Sequence, residues 1–87
     1  MSKYVFPAII RKEDDCYLVN FPDIKNCFTD GKSLTEALEM ANDVLCLMLC
    51  NLEEKGEAIP SPSNIKGVEL PNEDSFVSLV LCDTSTE

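Results

Sequence analysis

Histidine and tryptophan are absent from these 87 residues, glycine occurs three times, and basic side chains number 7 against 16 acidic ones. Without histidine, no side chain has an ordinary pKa near neutrality, which removes the commonest general acid–base group and the commonest nitrogen ligand for zinc. The glycines, Gly31, Gly56 and Gly67, stand far apart, so no phosphate-cradling loop can be assembled and each suits a turn instead. The shortage of lysine and arginine leaves a formal charge of −9 with no basic stripe. Such a surface repels nucleic-acid phosphates and attracts basic proteins, so direct DNA or RNA binding is not expected and a basic partner is. Long apolar runs are missing as well: residues 44–49 form the longest, far short of the roughly 20 residues that cross a bilayer.

Cysteine, by contrast, is plentiful. Cys16, Cys27, Cys46, Cys50 and Cys82 are odd in number, contain no CxxC pair, and follow no basic leader with an apolar segment. They read as reduced thiols of a cytoplasmic protein, serving as small hydrophobes. Cys46 and Cys50 are four apart and stack on one helical face, where two thiolates would supply half of a zinc site. No histidine or second cysteine pair completes four ligands, so packing or an interface edge is the better reading, and no cofactor or metal is expected.

A chain of this length supports one domain, placed at residues 1–83 with a polar, frayed tail at 84–87. The first strand is expected over residues 3–12, with Tyr4, Phe6, Ala8 and Ile10 on one parity and Val5, Pro7 and Ile9 on the other, so both faces are partly covered. Pro7 lacks a backbone donor and points to an edge position or a strand beginning after it. Glu13, Asp14 and Asp15 form a charged turn into a second strand over 16–21. Pro22 and Asp23 break it, and a short third strand over 27–29 closes a meander that Asp30 and Gly31 end.

Ser33 is the expected N-cap, with Glu36 three residues later reaching back to the Ser33 amide. Leu34, Leu38, Ala41, Leu45, Met48 and Leu52 then repeat at spacings of three and four, flanked by Ala37, Val44 and Leu49. Lys55 and Gly56 supply the stop. This apolar arc is wider than one sheet face needs, with Cys46, Leu47 and Cys50 outside the main stripe. Pro60, Ser61, Pro62 and Ser63 make a rigid polar crossover, residues 67–72 are irregular, and residues 75–82 form a last strand so apolar that it is expected inside the sheet or against the helix. The fold class is α+β: a βββαβ domain with an antiparallel sheet and one long packed helix.

Carboxylates are the main candidates for catalysis. Asp23 and Asp30 flank the third strand while Glu36 and Asp43 lie two turns apart on the helix, a set that would suit magnesium-assisted phosphoryl hydrolysis. In so acidic a chain, unrelated surface carboxylates are commoner, and Glu36 already caps the helix. The chain is therefore read as a binding protein and not an enzyme.

Several motifs in fixed order resemble the HicB-like antitoxin family: Phe6-Pro7-Ala8-Ile9-Ile10, Tyr17-Leu18-Val19-Asn20-Phe21-Pro22-Asp23-Ile24, Cys27-Phe28-Thr29-Asp30-Gly31, Leu34-Thr35-Glu36-Ala37-Leu38 with Asn42, and Gly56-Glu57-Ala58-Ile59-Pro60. Asn26 stands where the family usually has glycine, a substitution that a turn tolerates. The resemblance implies a partial ribonuclease-H-like domain without that fold's catalytic set. It also implies a partner: a small basic HicA-like toxin, an mRNA-cleaving ribonuclease whose active surface the antitoxin covers. Many relatives continue into a helix-turn-helix or ribbon-helix-helix domain, whereas this sequence ends after one further strand, so operon repression is not carried over. Asp14, Asp15, Asp23 and Asp30, at turns and strand ends, are the candidate partner-binding residues. A stand-alone oligomeric binding module is the alternative. In either case the first strand, the apolar last strand and the surplus helical surface leave patches that a homodimer or larger assembly would cover.

Overall fold

The computed structural model describes residues 3–63, 67, 70 and 75–84. Four strands and one helix follow in the order β1 (Lys3–Lys12), β2 (Tyr17–Asn20), β3 (Phe28–Gly31), α1 (Leu34–Lys55) and β4 (Ser75–Asp83). The sheet order is β3-β2-β1-β4 and every neighbouring pair is antiparallel. The βββαβ plan expected from the pattern is therefore the fold. Residues 67–72, apart from 67 and 70, and the tail beyond Thr84 lie outside the described residues.

Three local expectations are settled or changed. Of the two places expected for β4, inside the sheet or against the helix, the second holds: it is an edge strand whose Val80 and Cys82 join the core beneath the helix. β1 begins before Pro7 and is not an edge, because β4 pairs with it from Lys3 to Arg11. β2 reaches only as far as Ile9, however, so at Pro7 the strand has a neighbour on one side and the missing donor costs no ladder bond. β3 runs through Asp30 and Gly31 instead of ending before them, with Gly31 opposite Tyr17.

The helix begins as its capping residues dictate. Ser33 is extended (φ −133°, ψ 165°) and its hydroxyl accepts from the Glu36 amide at 3.1 Å. The Glu36 carboxylate reaches one residue further than expected, accepting from the Lys32 amide at 2.7 Å, because the extended cap brings that amide over the first turn. Gly56 ends the helix in the left-handed region (φ 70°). Its amide donates to the Glu53 carbonyl at 3.1 Å and that of Glu57 to Leu52 at 2.9 Å, which satisfies the last carbonyls. Asn26 is also left-handed (φ 60°), in the loop before β3, a conformation asparagine tolerates better than most residues.

Even-numbered residues of β1 meet the helix. Phe6, Ala8 and Ile10 are buried with Val19, Phe21, Cys27, Val80 and Cys82 from the sheet side and Ala37, Ala41, Leu45 and Leu49 from the helix. Small residues let the helix start close to β3: a Cβ on Gly31 would collide with the Ala37 backbone nitrogen and lie 2.6 Å from the Ala37 Cα. Cys46, outside the predicted stripe, packs against this core, while Leu47 remains exposed. At the far end Glu53 accepts from the Tyr4 hydroxyl at 2.6 Å and from Thr84 Oγ1 at 3.2 Å, tying the helix to both β1 and the end of β4.

Two stability outcomes follow from this packing. Leu45→Ala opens a cavity in a fully buried site and should cost roughly 2–5 kcal/mol, whereas Ser33→Ala removes one cap acceptor and should cost about 1 kcal/mol. Chemical denaturation that ranks Ser33→Ala as the more damaging would overturn this account of the helix face. Gly31→Ala forces the helix start away from the sheet and should destabilise by about 1–3 kcal/mol, read from the same denaturation curves.

Candidate functional site

The helix occupies one face of the sheet; on the other, Pro7 is fully buried whereas Val5, Phe28, Leu79 and Leu81 are exposed. Odd-numbered β1 residues and their cross-strand partners make up that second face: Ile9 lies opposite Asn20, Arg11 opposite Leu18, Asn20 opposite Phe28 and Leu18 opposite Asp30. These six side chains, with Leu70, line a shallow hollow. Its floor is apolar, and Phe28 keeps 63 % of its surface exposed. Arg11 forms an ion pair with Glu13 at 2.7 Å, so the cation in the hollow is already matched by an acid from the adjoining turn.

Three of the four candidate aspartates gather at one end of this face. Asp14 and Asp15 sit in the β1–β2 turn, which the Glu13 amide closes onto the Cys16 carbonyl at 2.8 Å, and the register that sets Tyr17 opposite Gly31 brings Asp30 to the same end. Asp14, Asp15 and Asp30 are exposed, and Asp30 lines the apolar hollow. Asp23 is elsewhere, in the β2–β3 loop at the opposite end. There its carboxylate accepts from the Ser63 amide at 2.8 Å and from the Ser63 hydroxyl, pinning the crossover segment to the meander. The Asp23, Asp30 and Asp43 metal reading has no geometric support: among the described residues, no three His, Cys, Asp or Glu side chains converge to hold an ion.

Sequence reasoning missed the apolar part of this surface, namely Ile9, Leu18, Phe28 and Leu70. The signal was present, since β1 carries apolar side chains on both parities, but the pattern alone does not say which parity the helix takes.

The thiols belong to packing. Burial pushes the Cys27 thiol up to about 11. Burial and then a hydrogen bond with Cys46 raise Cys82 to about 12. Both stay protonated at neutral pH and are poor nucleophiles. The Glu53 carboxyl is held below the usual carboxylate range, first by the Tyr4 hydroxyl. Among the described residues, no helix is long and apolar enough to cross a membrane. Thiol labelling of the native chain at neutral pH should modify Cys16 and Cys50 and spare Cys27 and Cys82, which should label only on denaturation. Native labelling of Cys82 read by peptide mass would contradict its burial.

The family model described as HicB-like antitoxin of bacterial toxin–antitoxin systems matches residues 6–86. A toxin–antitoxin complex from Streptococcus pneumoniae contains a chain of similar structure, with a TM-score of 0.86 and 29 % identity, covering 95 % of this chain and 71 % of that one. A chain of a HicA3 and HicB3 toxin–antitoxin complex superposes with a TM-score of 0.72 and 25 % identity, over 92 % of this chain and 99 % of that one. Antitoxin HicB of Escherichia coli K12 is 35 % identical over 65 residues, which is 75 % of this chain and 44 % of the relative. The chain spans between 34 % and 59 % of the length of several curated relatives it matches. The meander, the single helix and the returning strand are those of the partial ribonuclease-H-like fold, and with a match over nearly its whole length this chain belongs to the HicB-like antitoxin family.

Proposed function

We propose that this chain is an antitoxin that binds a small basic HicA-type toxin, an mRNA-cleaving ribonuclease, and neutralises it by covering its active and RNA-binding surface. The observation that carries the reading is the likeness, over 92 % of this chain, to a chain found in complex in the HicA3 and HicB3 structure. Physical chemistry supports it independently. A formal charge of −9 draws a basic partner, and the exposed Asp14, Asp15 and Asp30 offer the negative charge that RNA phosphates would otherwise bring. Beside them, the apolar hollow around Leu18 and Phe28 supplies surface that gains by burial. In this arrangement the aspartates guide encounter and the apolar floor holds the complex. Asp23 is engaged with Ser63, so its contribution to the partner surface is indirect, through the loop it braces.

Co-expression with the basic protein encoded beside its gene tests the reading: growth inhibition by that protein should be relieved and a stable complex should co-purify. Charge reversal of Asp14, Asp15 and Asp30 to lysine together should slow association by roughly tenfold or more at low salt and flatten its salt dependence, while Glu39→Lys on the far side of the molecule should change little. Stopped-flow association rates read both effects. Undiminished toxicity, or no complex at sub-micromolar concentration, would overturn the antitoxin reading and favour a stand-alone binding module.

A further inference from the structure

Three of the five cysteines come together where the helix meets β4. Cys46 and Cys50 lie about one turn apart on α1, and Cys82 is in β4, fully buried. Cys46 is half-buried, packs against the core to which Cys82 belongs, and is hydrogen-bonded to the Cys82 thiol.

This contact is the middle of a seam. One turn before Cys46, the Asn42 side-chain amide donates to the carbonyl of Leu81, the residue before Cys82. Two turns after it, Glu53 accepts from Thr84 Oγ1 at 3.2 Å and from the Tyr4 hydroxyl at 2.6 Å, and Tyr4 lies opposite Cys82 in the β1–β4 ladder. Asn42, Cys46 and Glu53 thus follow one row of the helix, while Leu81, Cys82 and Thr84 follow the end of the strand. Contacts on both sides hold the two thiols against each other. Cys50 is the competing partner for Cys46, and helix geometry disfavours it. Cβ atoms four residues apart on a helix are about 5–6 Å from each other, whereas a disulfide needs about 3.5–4.5 Å. A bond within the helix would distort the turn; a bond across the seam leaves it intact.

We propose that Cys46 and Cys82 are an oxidation site at which hydrogen peroxide joins the two sulfurs and locks β4 to the helix. The half-buried Cys46 is the thiol the oxidant reaches. Its sulfur attacks one peroxide oxygen, the O–O bond breaks, and Cys46 becomes a sulfenic acid as a first water leaves. Cys82 then attacks the Cys46 sulfur, the S–O bond breaks, and the hydroxyl departs with the Cys82 proton as a second water. Two thiols give up two electrons and the peroxide takes them. Cys82, buried and protonated, reacts poorly with reagents in solution, but here its target is already in contact. The bond matters because of where β4 sits. Among the described residues β1 is its one strand neighbour, and the helix is what holds its inner face. Reduced, the last strand opens locally at less cost than the whole domain; cross-linked, it cannot part from the helix. The bond also closes a loop over residues 46–82, which removes freedom from the unfolded chain.

The site is tested with this chain alone, so its failure would leave the toxin reading untouched. The wild-type chain, treated at neutral pH with a few equivalents of hydrogen peroxide, should lose two hydrogens and yield peptides joined through Cys46 and Cys82, with dithiothreitol reversing the change. Oxidation should raise the melting temperature by roughly 5 °C or more and slow proteolytic cleavage within β4 by roughly tenfold or more. Cys50→Ser should behave as the wild type, and Cys46→Ser should abolish the cross-link and both shifts. Cys82→Ala should do the same; should that buried variant lose structure, Cys46→Ser decides. Unreacted thiols, a Cys46–Cys50 bond, bonds between chains, or sulfinic acid at Cys46 without a cross-link would overturn the inference. So would a Cys46–Cys82 bond that leaves melting and proteolysis unchanged.

Discussion

One helix can cover only one face of a four-stranded sheet. In this chain the helix takes the face formed by Phe6, Ala8 and Ile10, because Gly31, Ala37 and Ala41 provide the small surfaces that allow helix and sheet to approach. Every residue of opposite parity is then turned the other way. A fully solvated second face would be built of polar side chains; this one retains Ile9, Leu18, Phe28 and Leu79. Apolar surface left on a small domain costs solubility, and here it lies beside the exposed Asp30.

The two edges of the sheet divide along chemical lines. At the β3 end, an apolar hollow lies within reach of acidic turn residues, a combination suited to a cationic protein. At the β4 end, no side chain before Asp83 is charged. Salt acts on the first, where screening removes attraction.

Much of the architecture was legible in the residues. Ser33 with Glu36, Lys55 with Gly56, and the three-and-four spacing between them located the helix to within a residue, since capping is a local matter of which side chain can reach which amide. That β4 packs against the helix was legible, but its place in the strand order was not. A run as apolar as its sequence normally lies between two other strands, and only the tertiary order shows that one flank stays open. The placement of the candidate aspartates was half visible for a related reason. Asp14, Asp15 and Asp30 are chain-local features of turns and strand ends, and they do gather. Asp23 has the same local appearance, yet it is committed to Ser63, 40 residues away, a contact no spacing rule could have announced. The apolar hollow depends on which side the helix lands, a decision made by packing and not by periodicity.

The pairing of β1 with β4 matches Lys3 with Asp83. A ladder between the first strand and the last closes nearly the whole chain into one loop, the contact whose entropy cost is greatest and whose formation is slowest. During synthesis the meander and helix emerge before β4 exists, so β1 waits with a bare flank. The nascent chain thus passes through a stage with its central strand unprotected, and productive folding competes there with aggregation. A cell making this protein in quantity would feel that interval as a demand on its chaperones.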